Sequence, residues 1–334
     1  PNKQGFDHFF GYLDQRKAHN YYPDHLWRNN EFVKLNNPGG AWGNGNQDYS
    51  HDLMTEEAVN WITANRDQPM FLYLAYCIPH THWQVPELGE YAQKDWPEER
   101  FKVQAAMVSR MDRDIGRIKR LLEKLGIEED TLLIFNSDNG AHGQGGTREF
   151  FDTTGGLKGK KRLMTEGGVR SPMLAYWPGK VPAGTHSEHI SAFWDFLPTM
   201  AELAGEPING RTDGLSMLPT LMGEYEQQKE HRYLYWELYE GRPNCGVRMG
   251  KWKGLVQDRR KGMEIELYNL DADEAEERNV AHQYPEVVDQ IRKAMLEAHE
   301  PSLLWDKNNK PLYNAQAACD LNAVTYVPRP KKVN

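Results

Sequence analysis

Residues 131–140 read TLLIFNSDNG, an apolar run that turns polar over its last five positions. The apolar part, Thr131–Phe135, predicts a strand buried on both faces, because its side chains do not alternate with polar ones. Asp138 and Asn139 follow its carboxyl end, where the ligand sites of open α/β sheets lie. The pair offers two hard oxygen ligands that suit Ca²⁺ or Mg²⁺. A plain Asx turn is the alternative, since Asn-Gly is a common turn pair.

A long amphipathic helix is predicted ahead of this strand. The region Glu98–Leu125 carries apolar residues at helical spacing, which places them on one face. These residues are Met107, Met111, Ile115, Ile118 and Leu122. Before the helix, Met70–Cys77 is nearly all apolar and predicts a second strand that is buried on both faces. The order strand, long helix, strand predicts an α/β fold with a mostly parallel central sheet flanked by helices.

The composition changes near residue 226, where a polar stretch separates two predicted domains, residues 1–226 and 227–334. The first also contains a loop-like, aromatic and Asn-rich segment over residues 5–50. Its other predicted elements are helices over Thr55–Asn65 and Ala192–Ala204 and a strand over Pro172–Trp177. The second domain has the short, closely spaced strands and terminal helix of a small antiparallel-sheet-plus-helix unit. Its predicted elements are strands over Tyr233–Leu238, Gly246–Leu255 and Glu264–Leu270 and a helix over Pro285–His299.

The overall composition excludes several classes of function. The 334 residues include 40 Lys and Arg and 48 Asp and Glu, which gives a formal net charge of -8. This acidic balance argues against a general nucleic-acid binder. No apolar run approaches the roughly 20 residues that cross a bilayer, so no membrane span is predicted. Cys77, Cys245 and Cys319 are too few and too scattered for a disulfide framework or a zinc knuckle.

A second polar segment, Pro79-His80-Thr81-His82, follows the predicted strand Met70–Cys77. A histidine at the carboxyl edge of a sheet can donate a proton to a leaving group near neutral pH. A loop histidine without a catalytic role is one alternative. A His-x-His zinc pair is another, although no third His or Cys ligand lies at a suggestive spacing.

A basic loop over Gly155–Arg162 leads into Glu166-Gly167-Gly168-Val169-Arg170. Four of the five residues from 158 to 162 are cations, and the nearby glycines allow a close approach of the backbone, so the loop suits an anion. The alternative is a solvated basic surface loop. A nucleic-acid patch is disfavoured, because the stretch is short and the chain is net acidic.

The joint order of these segments resembles the sulfatase family of the alkaline-phosphatase superfamily, and in particular its arylsulfatase A-like enzymes. The resemblance runs nearly end to end and includes several further motifs. They are Gly5-Phe6-Asp7 with Gly11-Tyr12, Ala18-His19-Asn20-Tyr21-Tyr22-Pro23, Tyr176-Trp177-Pro178-Gly179, Asp195-Phe196-Leu197-Pro198-Thr199, Arg248-Met249-Gly250-Lys251-Trp252-Lys253 and Glu266-Leu267-Tyr268-Asn269-Leu270. The resemblance implies an alkaline-phosphatase-like α/β fold and the hydrolysis of a sulfate ester with a formylglycine nucleophile.

The resemblance also implies a role for individual residues. Asp138 and Asn139 match two of the four protein ligands of a Ca²⁺ ion, with Mg²⁺ the less favoured metal. His80 matches the histidine that contacts the sulfate ester and protonates the leaving oxygen. Lys161, five residues before Glu166, matches the catalytic lysine and is favoured over Lys158 and Lys160. Further residues are expected to contact the substrate, namely Gln15 near the sulfate, and His142 and the Arg148-Glu149 pair near the rest of the molecule.

One motif of the family is missing from this sequence. The nucleophile is formed from the first residue of a Cys/Ser-x-Pro-x-Arg motif, and no such motif occurs here. Cys77 has a proline at the right offset but no arginine, and it is interpreted as a buried strand-end residue. We therefore expect that the nucleophile and the first strand of the sheet belong to a preceding part of the protein.

The expected function is a sulfuric ester hydrolase that acts on a sulfated carbohydrate or an aryl sulfate. The expected partner is a small-molecule or oligosaccharide sulfate ester, and the expected location of the parent protein is periplasmic or extracellular. One alternative is a phosphodiesterase or phosphonate hydrolase of the same superfamily, which would carry more His and Asp metal ligands. The other is a catalytically dead sulfatase-like binding protein.

Overall fold

The computed structural model describes residues 1–40, 43–239 and 242–300. They form two compact units. The first comprises Pro1–Leu133 and Tyr176–Lys180, and the second comprises Ile134–Ala175 and the described part of Val181–Asn334. The division into domains 1–226 and 227–334 rests on composition and stays a prediction.

The first unit begins with a small antiparallel sheet. Its strands are β1 (Phe10–Gly11), β2 (His25–Arg28) and β3 (Glu31–Lys34), in the order β1-β2-β3. β2 and β3 form a hairpin with Asn29 at its turn, where the φ angle is 54°, a conformation that Asn adopts more readily than most residues. The prediction of a wholly loop-like segment over residues 5–50 is therefore wrong, because such short strands carry little periodicity.

Two α-helices follow the sheet in the first unit. They are α1 (Ser50–Asn65) and α2 (Glu99–Leu125), which confirm the two predicted helices. Ile62 of α1 packs in one buried cluster with Ile118 and Leu122 of α2. This contact is the one that the apolar spacing of α2 predicts.

The predicted strand over Met70–Cys77 does not form among the described residues. Met70 and Leu74 pack against the cluster of α1 and α2. The opposite side is open, since Phe71 is 60% and Tyr73 is 65% exposed. A strand needs a hydrogen-bonded neighbour as well as apolar side chains, and within the part of the chain that the structure describes this segment has none. The prediction of burial on both faces is therefore wrong.

Most of the strand that precedes Asp138 belongs to the second unit. β4 (Leu133–Asn136) pairs with β5 (Met173–Tyr176), which confirms both predicted strands. The residues of β4 are half-buried, so the prediction that this strand is buried on both faces is wrong. The helices α3 (Thr147–Phe151), α4 (Glu166–Val169), α5 (Phe196–Ala204) and α6 (Leu218–Leu221) follow in the same unit. α5 confirms a predicted helix, and a 3-10 turn leads into it. The short helix α4 begins at the Glu-Gly-Gly that ends the basic loop.

An antiparallel sheet and a helix complete the second unit, as predicted. The strands are β6 (Leu234–Leu238), β7 (Asn244–Met249), β8 (Trp252–Val256) and β9 (Glu266–Asn269), paired in that order, and the helix is α7 (Pro285–Ala298). Val247 and Leu267 of the sheet pack with Ile291 of α7. Gly254 permits this approach, because a Cβ atom there would lie 2.3 Å from Ile291 Cγ2.

The predicted single strand over Gly246–Leu255 is in fact a hairpin. Met249 of β7 faces Trp252 of β8, and the turn between them contains Gly250 with a φ of 52°. The prediction is wrong because apolar residues continue on both sides of the turn. Glycine supplies the left-handed conformation that this tight turn requires.

Two remaining features concern the thiols and the helices. Cys77 and Cys245 are free cysteines, and Cys319 lies outside the described residues. Burial raises the pKa of the Cys77 thiol to about 11, so this residue is protonated and a poor nucleophile near neutral pH. Of the helices that the structure describes, none is long and apolar enough to cross a membrane.

Candidate functional site

The loop after β4 carries Asp138 and Asn139 against the start of α4. The Gly140 N–H donates to the Gly168 carbonyl oxygen at 3.0 Å. A Cβ atom on Gly140 would lie 2.1 Å from the Gly167 carbonyl oxygen. This contact therefore requires glycine at position 140, which explains the Asn-Gly pair in structural terms and not only as a turn signal.

The basic loop lies beside the same segment. The Lys161 N–H donates to the Ala141 carbonyl oxygen at 2.9 Å, and the Gly167 N–H donates to the Lys158 carbonyl oxygen at 2.8 Å. A Cβ atom on Gly168 would lie 2.1 Å from the Leu163 carbonyl oxygen. The structure thus brings together two of the predicted site segments, the Asp138-Asn139 pair and the basic loop.

The three lysines of the basic loop have different surroundings. Lys158 Nζ donates to the Glu276 carbonyl oxygen at 2.7 Å and lies 5.2 Å from the centre of the Tyr268 ring. Lys160 passes over Gly143, where a Cβ atom would lie 2.6 Å from Lys160 Cδ. Lys161 is half-buried, and within the described residues its ammonium makes no hydrogen bond or ion pair. The Lys160 ammonium likewise makes no hydrogen bond or ion pair within the described residues, so these contacts set only Lys158 apart. The choice of Lys161 over Lys160 stays a prediction.

Asp138 and Asn139 offer hard oxygens but not a complete metal site. Asp138 is exposed and Asn139 is half-buried. The Asn139 Nδ2 donates to the Gly140 carbonyl oxygen at 3.1 Å, which leaves the side-chain oxygen as an acceptor. Among the described residues, no group of three or more His, Cys, Asp or Glu is arranged to hold a metal ion. The donor chemistry fits Ca²⁺, which takes about 6–8 oxygens, and this pair would supply two of them.

His80 lies in the first unit with its ring held by local contacts. Its Nδ1 lies 2.5 Å from the Thr81 carbonyl oxygen. Because a carbonyl only accepts hydrogen bonds, Nδ1 carries a hydrogen and Nε2 is the atom left for other chemistry. The Tyr21 hydroxyl donates to the His80 carbonyl oxygen at 3.0 Å, which fixes the backbone.

A second histidine stacks on His80, and the sequence did not single it out as a site residue. The ring of His19 lies parallel to that of His80, with centres 4.7 Å apart and planes at 13°. The His82 N–H donates to the His19 carbonyl oxygen at 3.1 Å. His19 belongs to a motif that carries the family resemblance, but nothing in its local pattern indicates that it packs on His80.

The remaining predicted contacts are divided between the two units. Gln15 is exposed in the first unit. In the second unit, His142 Nδ1 accepts from the Gln144 N–H at 3.0 Å. Arg148, on α3, donates from an Nη atom to the Leu157 carbonyl oxygen at 3.4 Å, and its Nε is buried without a partner among the described residues. Arg148 therefore lies against the start of the basic loop, whereas the roles of all three residues stay predictions.

Comparison with known proteins defines the class. Residues 1–206 match the family described as Sulfatase, and residues 157–301 match the family described as N-sulphoglucosamine sulphohydrolase, C-terminal. The first match spans more than half of the sequence. The chain therefore belongs to the sulfatase family.

Individual relatives agree with this assignment. The uncharacterized sulfatase YdeN of Escherichia coli (strain K12) is 32% identical over 71% of this chain and 40% of its own length. Human arylsulfatase A is 31% identical over 79% of this chain and 46% of its own length. The chain thus spans less than half the length of these two relatives.

A solved structure confirms the α/β fold class. The crystal structure of Ps i-CgsB in complex with k-i-k-neocarrahexaose has a TM-score of 0.75 and 29% sequence identity. The match covers 89% of this chain and 67% of that chain.

Proposed function

We propose that this chain is the part of a sulfuric ester hydrolase that binds the sulfate group and supplies two ligands to its metal ion. The observation that supports the proposal most is the junction of the basic loop with the segment after β4. At this junction the Lys161 N–H donates to the carbonyl oxygen of Ala141, which is close in sequence to Asp138 and Asn139. The ammonium of Lys161 makes no hydrogen bond or ion pair among the described residues. Because the chain belongs to the sulfatase family, a sulfate group is the anion that we propose binds at this junction.

Lys161 would neutralise the oxygens of the bound sulfate ester. These oxygens repel a nucleophile until a cation compensates their charge, and a donor that is already in place does this without reorganisation. The Lys161 N–H bond to Ala141 keeps the backbone of the lysine in place. Asp138 and Asn139 would hold Ca²⁺, which supplies Lewis-acid neutralisation of the same oxygens when it is bound.

His80 would protonate the oxygen of the leaving group. Its Nδ1 hydrogen is directed at the Thr81 carbonyl oxygen, so Nε2 is the atom that would deliver the proton. We further propose that Gln15, His142 and Arg148 contact the substrate. The proposed substrate class is a sulfated carbohydrate, which the oligosaccharide in the complex of Ps i-CgsB supports.

The nucleophile of the family, formylglycine, has no counterpart motif in this sequence. We propose that it is supplied by polypeptide outside these 334 residues. The high pKa of Cys77 and the absence of an arginine after Pro79 speak against Cys77 as a substitute. The proposed location of the complete protein is periplasmic or extracellular.

The experiment is a comparison of ester classes with the complete protein that contains this chain. Release of inorganic sulfate from a sulfated oligosaccharide and from 4-nitrophenyl sulfate is measured beside hydrolysis of bis(4-nitrophenyl) phosphate. We expect turnover of the sulfate esters and little of the phosphodiester. Faster turnover of the phosphodiester would establish a phosphodiesterase instead, and oligosaccharide binding without turnover of any ester would establish a binding protein.

A further inference from the structure

A buried charged pair connects the end of the basic loop to the C-terminal sheet. Lys253, in the middle of β8, is fully buried, and its Nζ donates to Glu166 Oε1 at 2.6 Å. Glu166 is 5% exposed and is the first residue of α4. Lys253 Nζ also lies 5.3 Å from the centre of the Trp236 ring. Burying two charges is costly and adds little net stability even when they are paired, so the pair calls for an explanation other than stability.

Glu276 holds both ends of the same loop segment. This residue is fully buried and has a φ of 55°. Its Oε2 accepts from the Glu166 N–H at 2.7 Å, and its carbonyl oxygen accepts from Lys158 Nζ at 2.7 Å. Its other carboxylate oxygen is buried without a partner among the described residues. One residue thus fixes Lys158 at the start and Glu166 at the end of the segment that contains Lys161.

The segment between the two anchors has little freedom. Its ends are joined directly, because the Gly167 N–H donates to the Lys158 carbonyl oxygen at 2.8 Å. A Cβ atom on Gly167 would lie 2.6 Å from that oxygen, so the packing is tight. The middle of the segment bonds to the loop after β4 through Lys161 and Ala141. Both anchors therefore lie on the same hydrogen-bonded segment as Lys161.

We propose that Lys253, on β8, and Glu276, in the segment after β9, are positioning residues that set the place of the Lys161 ammonium. Neither residue is proposed to touch the substrate. Glu276 acts through the Glu166 N–H and the Lys158 ammonium, and Lys253 acts through the Glu166 carboxylate. The inference rests on the proposed function for its catalytic consequence, but the anchoring itself is a property of the chain.

The test compares Glu276→Ala with Glu276→Gln in the complete protein. The Gln side chain keeps an oxygen that accepts from the Glu166 N–H, whereas Ala removes it. We expect Glu276→Ala to speed amide hydrogen exchange over residues 158–168 about tenfold or more, and Glu276→Gln to stay near the wild type. With a sulfate ester, Glu276→Ala should lower kcat by about tenfold to hundredfold with little change in KM, because small misplacements of a catalytic group have effects of this size.

A core variant separates positioning from general loss of stability. Ile291→Val removes one methylene from the sheet–α7 core and leaves Lys158, Glu166, Lys253 and Glu276 unchanged, so it should lower Tm without changing exchange over 158–168 or kcat. Unchanged exchange in Glu276→Ala would overturn the proposal, as would equal effects of Ala and Gln at position 276. If the wild type hydrolyses no sulfate ester, the proposed function fails, and the exchange data still decide whether Glu276 anchors the loop.

Discussion

The basic loop in the second unit and the His80 segment in the first are held in place by different kinds of contact. The loop is anchored by charges that are buried, with Lys253 paired to Glu166 and Glu276 bonded to the Glu166 N–H. His80 is held by a ring stack with His19 and a backbone carbonyl. The position of the loop therefore depends on protonation and on distant residues, whereas the orientation of His80 is fixed by its neighbours.

The largest effect is expected on the histidine side, in His80→Ala. General acid catalysis contributes about 10²–10⁴-fold, so hydrolysis of an alkyl or sugar sulfate should slow by that order. Hydrolysis of 4-nitrophenyl sulfate should slow far less, because nitrophenolate leaves without a proton. The ratio of the two kcat/KM values measures this. Equal slowing of both substrates would mean that His80 holds the sulfate and does not deliver a proton.

On the loop side, Lys253→Met tests the buried pair. The variant keeps most of the side-chain volume but leaves the Glu166 carboxylate buried, with Arg248 Nη1 3.5 Å away. Leaving a buried charge without any partner costs about 3–5 kcal/mol of unfolding free energy, and because Arg248 remains near Glu166 the loss measured by urea denaturation should reach at most this size. Lys251→Met is the matched control, because Lys251 is exposed two residues away on the turn. If Lys253→Met loses no more unfolding free energy than Lys251→Met, the Lys253–Glu166 pair does not anchor the loop.

The contrast between the two regions also predicts a dependence on pH. Burial, the largest cause, raises the pKa of Glu276 to about 7. The hydrogen bond from the Glu166 N–H and the charges of Lys253 and Lys158 oppose this shift, whereas the Glu166 carboxylate adds to it. The protonated carboxyl is favoured in the folded state, so its contribution to stability is complete below about pH 4.5 and is lost as the pH rises through 7.

The variant Glu276→Gln replaces the titrating carboxyl group with an amide that does not titrate in this pH range. Between pH 5 and pH 7 the wild type should lose stability relative to Glu276→Gln, by up to about 1.4 kcal/mol per pH unit. Denaturation curves at several pH values give the difference. A difference in unfolding free energy between the two proteins that stays constant from pH 5 to pH 7 would show that Glu276 does not titrate in this range.

The sequence predicted elements where periodicity or an apolar run coincided with available partners. The apolar face of α2 packs against α1, and β4 pairs with β5. Met70–Cys77 has the same apolar character as β4, but among the described residues it has no strand to pair with. Its failure shows that an apolar run predicts a preference for burial, whereas a strand also depends on a neighbour elsewhere in the chain.

The candidate site was only partly predictable for a related reason. Asp138 and Asn139 are visible because they follow a strand, and the basic loop is visible because its cations are adjacent. The choice of Lys161 rested on the family resemblance, and the structure adds that Lys158 is engaged by Glu276. The contacts of Glu166 with Lys253 and Glu276 join residues that are 87 and 110 positions apart in the sequence. Contacts at this separation leave no local sequence pattern from which they could be predicted.

The most direct test of the central claim is the pair Lys161→Ala and Lys158→Met in the complete protein, with 4-nitrophenyl sulfate as the substrate. Loss of one preorganised contact to the anion typically costs about 10²–10³-fold in kcat, and Lys161→Ala should show that loss. Lys158→Met, which removes only an anchor of the loop, should lose clearly less. If Lys158→Met proves as damaging as Lys161→Ala, or if Lys161→Ala retains wild-type turnover, Lys161 is not the lysine that binds the sulfate.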